Sequence, residues 1–228
     1  MFLDSLVEQC YKSLPRYSEA LDYLHSRGVT DEEIKLFKLG FRRVITVADD
    51  GTEDFKNFVK ETNNGRSLEN KIIFPLYDML GQIVGIFSRA VETKEFKFYL
   101  TQEAKFSGVF FGFWQSLPEI YKTGRVFTVE GPFDFFAFRK AYTNSVATLT
   151  AGLSDAQYNL LHFFAENIVT VFDSDKAGRR AAAEAQQWPG IKSVELGFKD
   201  PNACLKYWDQ KKFIERVKEK VGEVLLFS

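Results

Sequence analysis

The chain has 228 residues, 45% of them hydrophobic and 27% charged, with a formal net charge of −1. This length allows one large or two small domains with a proper core, and the balance is that of an ordinary soluble protein. It excludes a globally basic nucleic-acid binder, so any polyanion must be held by a local patch.

Residue placement excludes more. Cys10 and Cys204 are far apart, no C-x-x-C pair exists, and His25 and His162 stand alone. A zinc site and a disulfide framework are therefore not expected. The first ten residues carry Asp4 and Glu8 and no basic stretch, so no secretory signal is expected. No apolar run is long enough to span a membrane, and a cytoplasmic protein is the expectation. The 24 Phe residues are spread over predicted strands and helices and read mainly as core.

In chain order, Leu3, Leu6, Val7, Cys10 and Leu14 recur at helical spacing and stop before Pro15. Ser18 is placed as the cap of a second helix over 19–27, closed by Gly28. Thr30 caps a third over 31–38, with Glu33 at the capping-box position and Gly40 beyond its end. Residues 41–65 are polar and poorly periodic, turn at Asn63-Asn64-Gly65, and read as a weakly structured connection. Residues 71–78 and 82–89 form a hairpin that turns through Gly81, and 96–100 form another strand.

From residue 126 the pattern alternates: strand 126–130, helix 133–141, strand 145–149, helix 155–165, strand 168–172, helix 176–187, strand 192–196. That alternation predicts a parallel sheet with helices on its faces. A charged helical tail over 206–221 reads as a solvated face. Two of the strands end abruptly in acid, at Glu130 with Asp134 beyond it, and at Asp173-Ser174-Asp175. One acid-ended strand would read as a helix N-terminal acid, but two in one chain favour a cation site. In an open α/β sheet ligands bind at this edge. Carboxylates gathered there repel one another unless cations intervene, and hard oxygen donors suit Mg²⁺. Asp173 and Asp175 are placed on alternate positions of one strand end, facing the same side. Asp200, at the end of the following strand, closes the cluster. Gly131 and Ala177-Gly178 leave the site sterically open.

Glu130-Gly131-x-x-Asp134 followed by Asp173-x-Asp175-x-Ala177-Gly178 resembles the Toprim domain of topoisomerases and bacterial-type primases. Further segments are similar to the DnaG-type primase core in particular. Tyr23-Leu24-x-x-Arg27-Gly28 with Ile34, Phe37 and Gly40 resembles a segment that lies outside the Toprim fold. The hairpin resembles "R-I-M-F-P-I-x-D-x-x-G-x-v-I-G-F-g-G-R", with Lys71 for the leading Arg and Ser88 for the last Gly. Lys97 or the adjacent Phe98 falls at the lysine of "P-K-Y-L-N-S", and residues 109–113 match "x-L-Y-G-L". Lys199-Asp200-Pro201-Asn202 resembles "G-K-D-P-D-D", with Asn202 where a second Asp is usual. The match runs with gaps over residues 20–206.

The resemblance implies an α/β fold, a Toprim-type parallel sheet flanked by helices with a smaller N-terminal α+β subdomain. It divides the chain at 1–115, 116–205 and a helical tail at 206–228. It implies a DNA primase that makes RNA primers from NTPs on a single-stranded DNA template, by a two-metal site using Mg²⁺ or Mn²⁺. Glu130, Asp173 and Asp175 would be catalytic, and Glu130, Asp134, Asp173, Asp175 and Asp200 would hold the metal. Whether Glu130 is a metal ligand or a general acid/base is left open. Asp134 either points back to the site or caps its own helix, and Asn202 should weaken one ion's binding.

Lys71, Arg89, Lys97, Arg66 and Lys105 are the candidate contacts to template and nucleotides. The pairs Phe110-Phe111 and Phe135-Phe136 read as core rather than base-stacking platforms. The zinc-binding and helicase-binding modules usual in the family have no counterpart in this sequence. A separate zinc-binding protein and a replicative helicase are thus the expected partners. The short, Phe-rich chain points to a phage or plasmid replication gene in a bacterial cell. Two other readings remain: a Toprim nuclease, and a catalytically weak module that binds nucleic acid or a helicase.

Overall fold

The structure is a computed structural model and describes residues 2–93, 95–104 and 108–226. Lys105 lies outside the described residues. The chain divides into two compact units, 1–106 and 107–228.

The first unit packs helices on an antiparallel sheet. Its strands β1 (Gly40–Arg42), β2 (Lys71–Tyr77), β3 (Ile83–Ala90) and β4 (Phe96–Leu100) are ordered β1-β2-β3-β4. The helices are α1 (Phe2–Ser13), α2 (Ser18–Ser26), α3 (Asp31–Leu36) and α4 (Glu53–Thr62). On α1 the residues Leu3, Leu6, Val7 and Cys10 form the apolar stripe that their spacing predicts. They share a core with Phe58, Ile73, Ile86 and Tyr99. The backbone of α1 passes so close to β1 that a Cβ on Gly40 would lie 2.6 Å from the Cys10 carbonyl carbon. Thr30 and Glu33 close the expected capping box at the start of α3. Ser18, by contrast, is the first residue of α2, and the cap position is Tyr17, which makes no side-chain cap bond.

Residues 41–65 hold more structure than a weak connection, with the end of β1 and all of α4 inside them and irregular backbone at 43–52. Phe41 and Arg42 of β1 pair with Ile72 and Lys71 of β2. Thr52 caps α4, its Oγ1 accepting the Phe55 N–H at 3.1 Å, and Phe55 and Phe58 are buried. Tyr99 Oη donates to the Asp54 carbonyl at 2.6 Å, tying β4 to α4.

The second unit is built on a parallel sheet ordered β6-β5-β7-β8. Its strands are β5 (Arg125–Val129), β6 (Ser145–Ala147), β7 (Asn167–Thr170) and β8 (Ile191–Ser193). The helices are α5 (Phe113–Thr123), α6 (Pro132–Arg139), α7 (Asp155–Phe164), α8 (Lys176–Ala185), α9 (Pro201–Tyr207) and α10 (Gln210–Leu226). Residues 126–129 of the central strand are all buried, as a strand covered on both faces requires. Val126 and Ile168 pack with Phe113, Ile120 and Leu161 from α5 and α7. Phe127 instead stacks on Tyr142 at 4.3 Å and meets Phe138 of α6.

Residues 108–115 belong to this second unit, not to the first as the sequence division at 115 would have it. Phe111 and Ala147 exchange two backbone hydrogen bonds of 3.0 Å, and Phe110 and Phe113 enter the second core. The helix α5 was not expected, because Pro118 lies inside it. Burial of Phe113, Ser116 and Ile120 outweighs that local penalty. The tail is not simply a solvated face either, since Phe213, Val217 and Val221 of α10 are buried. Among the described residues no helix is long and apolar enough to cross a membrane.

Candidate acidic site at the carboxyl edge of the parallel sheet

β5 delivers Glu130 directly past its last residue, where the Leu149 N–H donates to the Glu130 carbonyl at 2.9 Å. Pro132 then starts α6 at a position where a missing N–H does no harm. β7 ends at Thr170, although the Val171 N–H still bonds the Thr128 carbonyl at 2.8 Å. Beyond it the Asp173 N–H donates to Glu130 Oε1 at 2.9 Å. Ser174 turns the loop toward β8's far side, its N–H on the Lys199 carbonyl at 2.8 Å and its hydroxyl on the Phe198 carbonyl at 2.6 Å.

Three helix starts complete the site. Asp175 caps α8 by accepting the Gly178 N–H at 2.9 Å. Asp200 caps α9 by accepting the Ala203 N–H at 2.6 Å. Asp134, in the first turn of α6, accepts the Asn202 N–H at 3.1 Å. Gly178 has to be glycine, because a Cβ there would lie 2.0 Å from the Asp173 carbonyl oxygen.

Several expectations are corrected by this geometry. Asp173 and Asp175 are not alternate residues of a strand, since the chain leaves the ladder after Thr170. Asp173 is half-buried while Asp175 is exposed. Asp200 is a helix cap well past β8, not a strand end. Asp134 accepts the backbone N–H of Asn202 in the first turn of α9, and its charge still reaches Asp173. The partner, Asn202, is buried at 2% exposure, and its Nδ2 faces the Phe133 carbonyl at 3.5 Å. Asn202, read from the sequence as a lost ligand, sits where α9 docks on α6, a placement that no local pattern gives.

The acids are electrostatically coupled. Burial, then the charges of Glu130, Asp134, Asp200 and Asp175, push the Asp173 carboxyl up to about 8. Burial also raises Glu130, against the opposing Asp173 N–H, with Asp175 and Asp200 adding to the rise. Asp173 Oδ1 is buried and has no hydrogen-bond partner among the described residues. A buried acceptor left bare carries a desolvation penalty of about 1–3 kcal/mol. Carboxylate oxygens of this kind fit a hard divalent cation by donor type. Among the described residues, however, no group of three or more His, Cys, Asp or Glu side chains is placed to hold one ion. The fit is therefore to a cation taking one or two protein carboxylates and filling its shell with other oxygens, which is the habit of Mg²⁺.

The candidate basic residues do not form one track on the first unit's sheet. The register pairs Lys71 with Ala90, Ser88 with Lys97, and Arg89 with both Ile72 and Phe96. Directly opposed residues share a face, so Lys71 and Lys97 lie with Ile73 and Tyr99, and Arg89 lies on the other face with Phe87 and Phe98. Lys71 is 9% exposed, donates to the Ser67 carbonyl at 2.8 Å and meets Glu95 at 3.6 Å. Arg66 is exposed in a short 3₁₀ turn, Arg66–Leu68. Phe110, Phe111, Phe135 and Phe136 are buried, as expected of core residues.

Comparison with known proteins matches residues 9–107 to the family described as DNA primase catalytic core, N-terminal domain, and residues 127–205 to the Toprim-like family. Over 208 residues the sequence is 31% identical to the DNA primase of Treponema pallidum, covering 82% of this chain and 34% of that one. The chain spans about a third of the length of the curated relatives it matches. A DNA primase domain from Pseudomonas aeruginosa has the same fold, with a TM-score of 0.77 at 22% identity, over 96% of this chain and 77% of that one. So does a DnaG primase catalytic domain solved bound to single-stranded DNA, with a TM-score of 0.76 at 22% identity and the same two coverages.

Proposed function

The chain belongs to the family of DnaG-type primase catalytic cores, and from that premise we propose that it makes short RNA primers in DNA replication. The reaction is nucleotidyl transfer from NTPs on a single-stranded DNA template. The observation that carries this reading is the pairing of Glu130 with the Asp173 loop at the carboxyl edge of the parallel sheet, where Asp173 Oδ1 is buried and bare.

Glu130, Asp134, Asp173, Asp175 and Asp200 are the acids from which one or two carboxylates at a time would hold Mg²⁺ or Mn²⁺, which when bound supplies charge neutralisation and alignment of the phosphate oxygens. The protein's own groups set the stage for that chemistry. Glu130 Oε1 fixes the distance between the two acid-bearing loops through the Asp173 N–H. Its carboxyl is raised above the ordinary carboxylate range, which brings it nearer to what a proton acceptor at neutral pH requires. Asp175 is the exposed member and meets an incoming triphosphate first. Gly178 allows α8 to start hard against the Asp173 backbone. Arg66, Arg89 and Lys97 are the contacts proposed for template and nucleotides, and the Lys71 ammonium bonds the Ser67 carbonyl and meets Glu95. A replicative helicase and a zinc-binding module would supply coupling to the fork and choice of start site.

The test is primer synthesis with a single-stranded template, NTPs and Mg²⁺ or Mn²⁺. Oligoribonucleotides are expected from the wild type, and at least a hundredfold less from Asp175→Asn. No product, or equal product from Asp175→Asn, contradicts the reading. Metal-dependent strand cleavage without NTPs would assign a nuclease instead.

A further inference from the structure

Away from the acidic edge, the first unit carries a concavity of about 420 Å³ between the end of α1, the 3₁₀ turn Leu14–Arg16 and the residues at and just after β1. Its walls include Gln9, Lys12, Arg16, Tyr17, Arg42 and Arg43, and none of its lining residues is acidic. We infer that this groove is a second nucleic-acid contact, which takes the phosphodiester backbone of a single strand with a base against Tyr17. The inference deepens the function proposed above, and rests on it for the choice of a strand over a free anion.

Charge is the first support. The whole chain is at −1, yet four cations from three separate elements converge here. Like charges are gathered in this way only against a repulsion that an anion relieves. Two acids answer them from outside the groove: Glu8 meets Lys12 at 3.2 Å, and Glu19 meets Arg43 at 2.7 Å. Glu8 is also shared with Lys38 at 3.3 Å. Both pairs are exposed, so each contributes little and yields readily to a phosphate. The groove keeps an excess of two positive charges after these pairings. The carboxyl end of α1 opposes an anion with only about half a charge, so the cations win.

The second support is aromatic. The Arg43 guanidinium lies 5.4 Å from the centre of the half-buried Tyr17 ring, which meets Phe41 edge-on at 5.1 Å. A ring braced by a second aromatic, with a guanidinium over it, in a groove lined by further cations is the composition of single-strand platforms. Lys12 and Arg43 are held by two different acids and come from separate elements, so the groove's charge is not concentrated in one ion pair. A neighbouring hollow of about 570 Å³ lacks this character, because Glu19, Glu69, Glu92 and Glu95 line it.

The experiment titrates the full chain with a labelled oligothymidylate, without NTPs or divalent ions, over a range of salt. Lys12→Glu combined with Arg16→Glu changes two exposed side chains. It is expected to lower affinity at least tenfold at low salt and to reduce the slope of log K against log salt by about 1.4, the release from two single-strand phosphates. Tyr17→Leu, checked for an unchanged melting temperature, is expected to lower affinity fivefold or more with the slope unchanged. Unchanged affinity and slope in the double variant overturn the inference. So does a loss of pyrophosphate binding with strand binding intact, which would assign the groove to a free anion. A chain that binds strand here but makes no primer refutes the primase reading alone; one that makes primers while the double variant keeps its salt slope refutes this groove alone.

Discussion

The backbone N–H of Asp173 donates to Glu130 Oε1 at 2.9 Å, so the first acid of one strand-end loop is the ligand of the other loop's backbone. The bond draws together two carboxylates that repel, and Asp173 answers by holding its proton to about pH 8. A proton on Asp173 relieves that repulsion, and on the reading proposed above a divalent cation would do the same.

Glu130→Gln keeps an oxygen acceptor for the Asp173 N–H and removes one negative charge. Its melting temperature is expected to equal or exceed that of the wild type in metal-free buffer. Primer yield is expected to fall at least a hundredfold in the same preparation. Parallel losses of stability and yield would mean that Glu130 serves only the fold.

The pH dependence of stability has a definite sign. The Asp173 carboxyl titrates near 3.8 when unfolded and near 8 when folded, so the native state binds more protons between those values. Metal-free stability should therefore fall as pH rises from about 4 to 8, the loss being complete above 8. Asp173→Asn should flatten this part of the profile and be more stable than the wild type at pH 8. Thermal melts across that range, in chelator, read both.

Gly178→Ala places a methyl 2.0 Å from the Asp173 carbonyl oxygen, which is backbone and cannot swing away. A loss of about 3 kcal/mol is expected, the upper end of overpacking effects. Denaturant midpoints at unchanged m measure it.

Asn202→Asp restores the carboxylate that the family pattern has at this position. In this fold it would place a buried charge where Nδ2 now faces the Phe133 carbonyl. Stability is expected to drop by about 2 kcal/mol or more, with no gain in Mn²⁺ affinity. Tighter metal binding at unchanged stability would return Asn202 to the ligand set.

Much of this was legible in the residues. The β-branched runs ending at Glu130 and Asp173 identified two neighbouring buried strands and their acidic edge, because parallel strands covered on both faces need such runs. The helix α4 escaped notice because its charged residues masked Phe55 and Phe58 behind the Thr52 cap, and α5 because Pro118 speaks against a helix. The tie of Asn202 to Asp134 joins residues 68 apart, and no local pattern encodes such a partner. The separation of Arg89 from Lys97 was available in principle: strand parity across the hairpin register sets it, once the partner of Ser88 is known.

The central claim is that these strand-end acids bind divalent cations. Its most direct measurement is the depletion of free Mn²⁺, followed by electron paramagnetic resonance, as the wild type, Glu130→Gln and Asp173→Asn are added. The wild type is expected to take up Mn²⁺ at millimolar concentration or below, and both variants to leave at least tenfold more of it free at matched concentrations. No uptake by the wild type, or equal uptake by all three, would contradict the account.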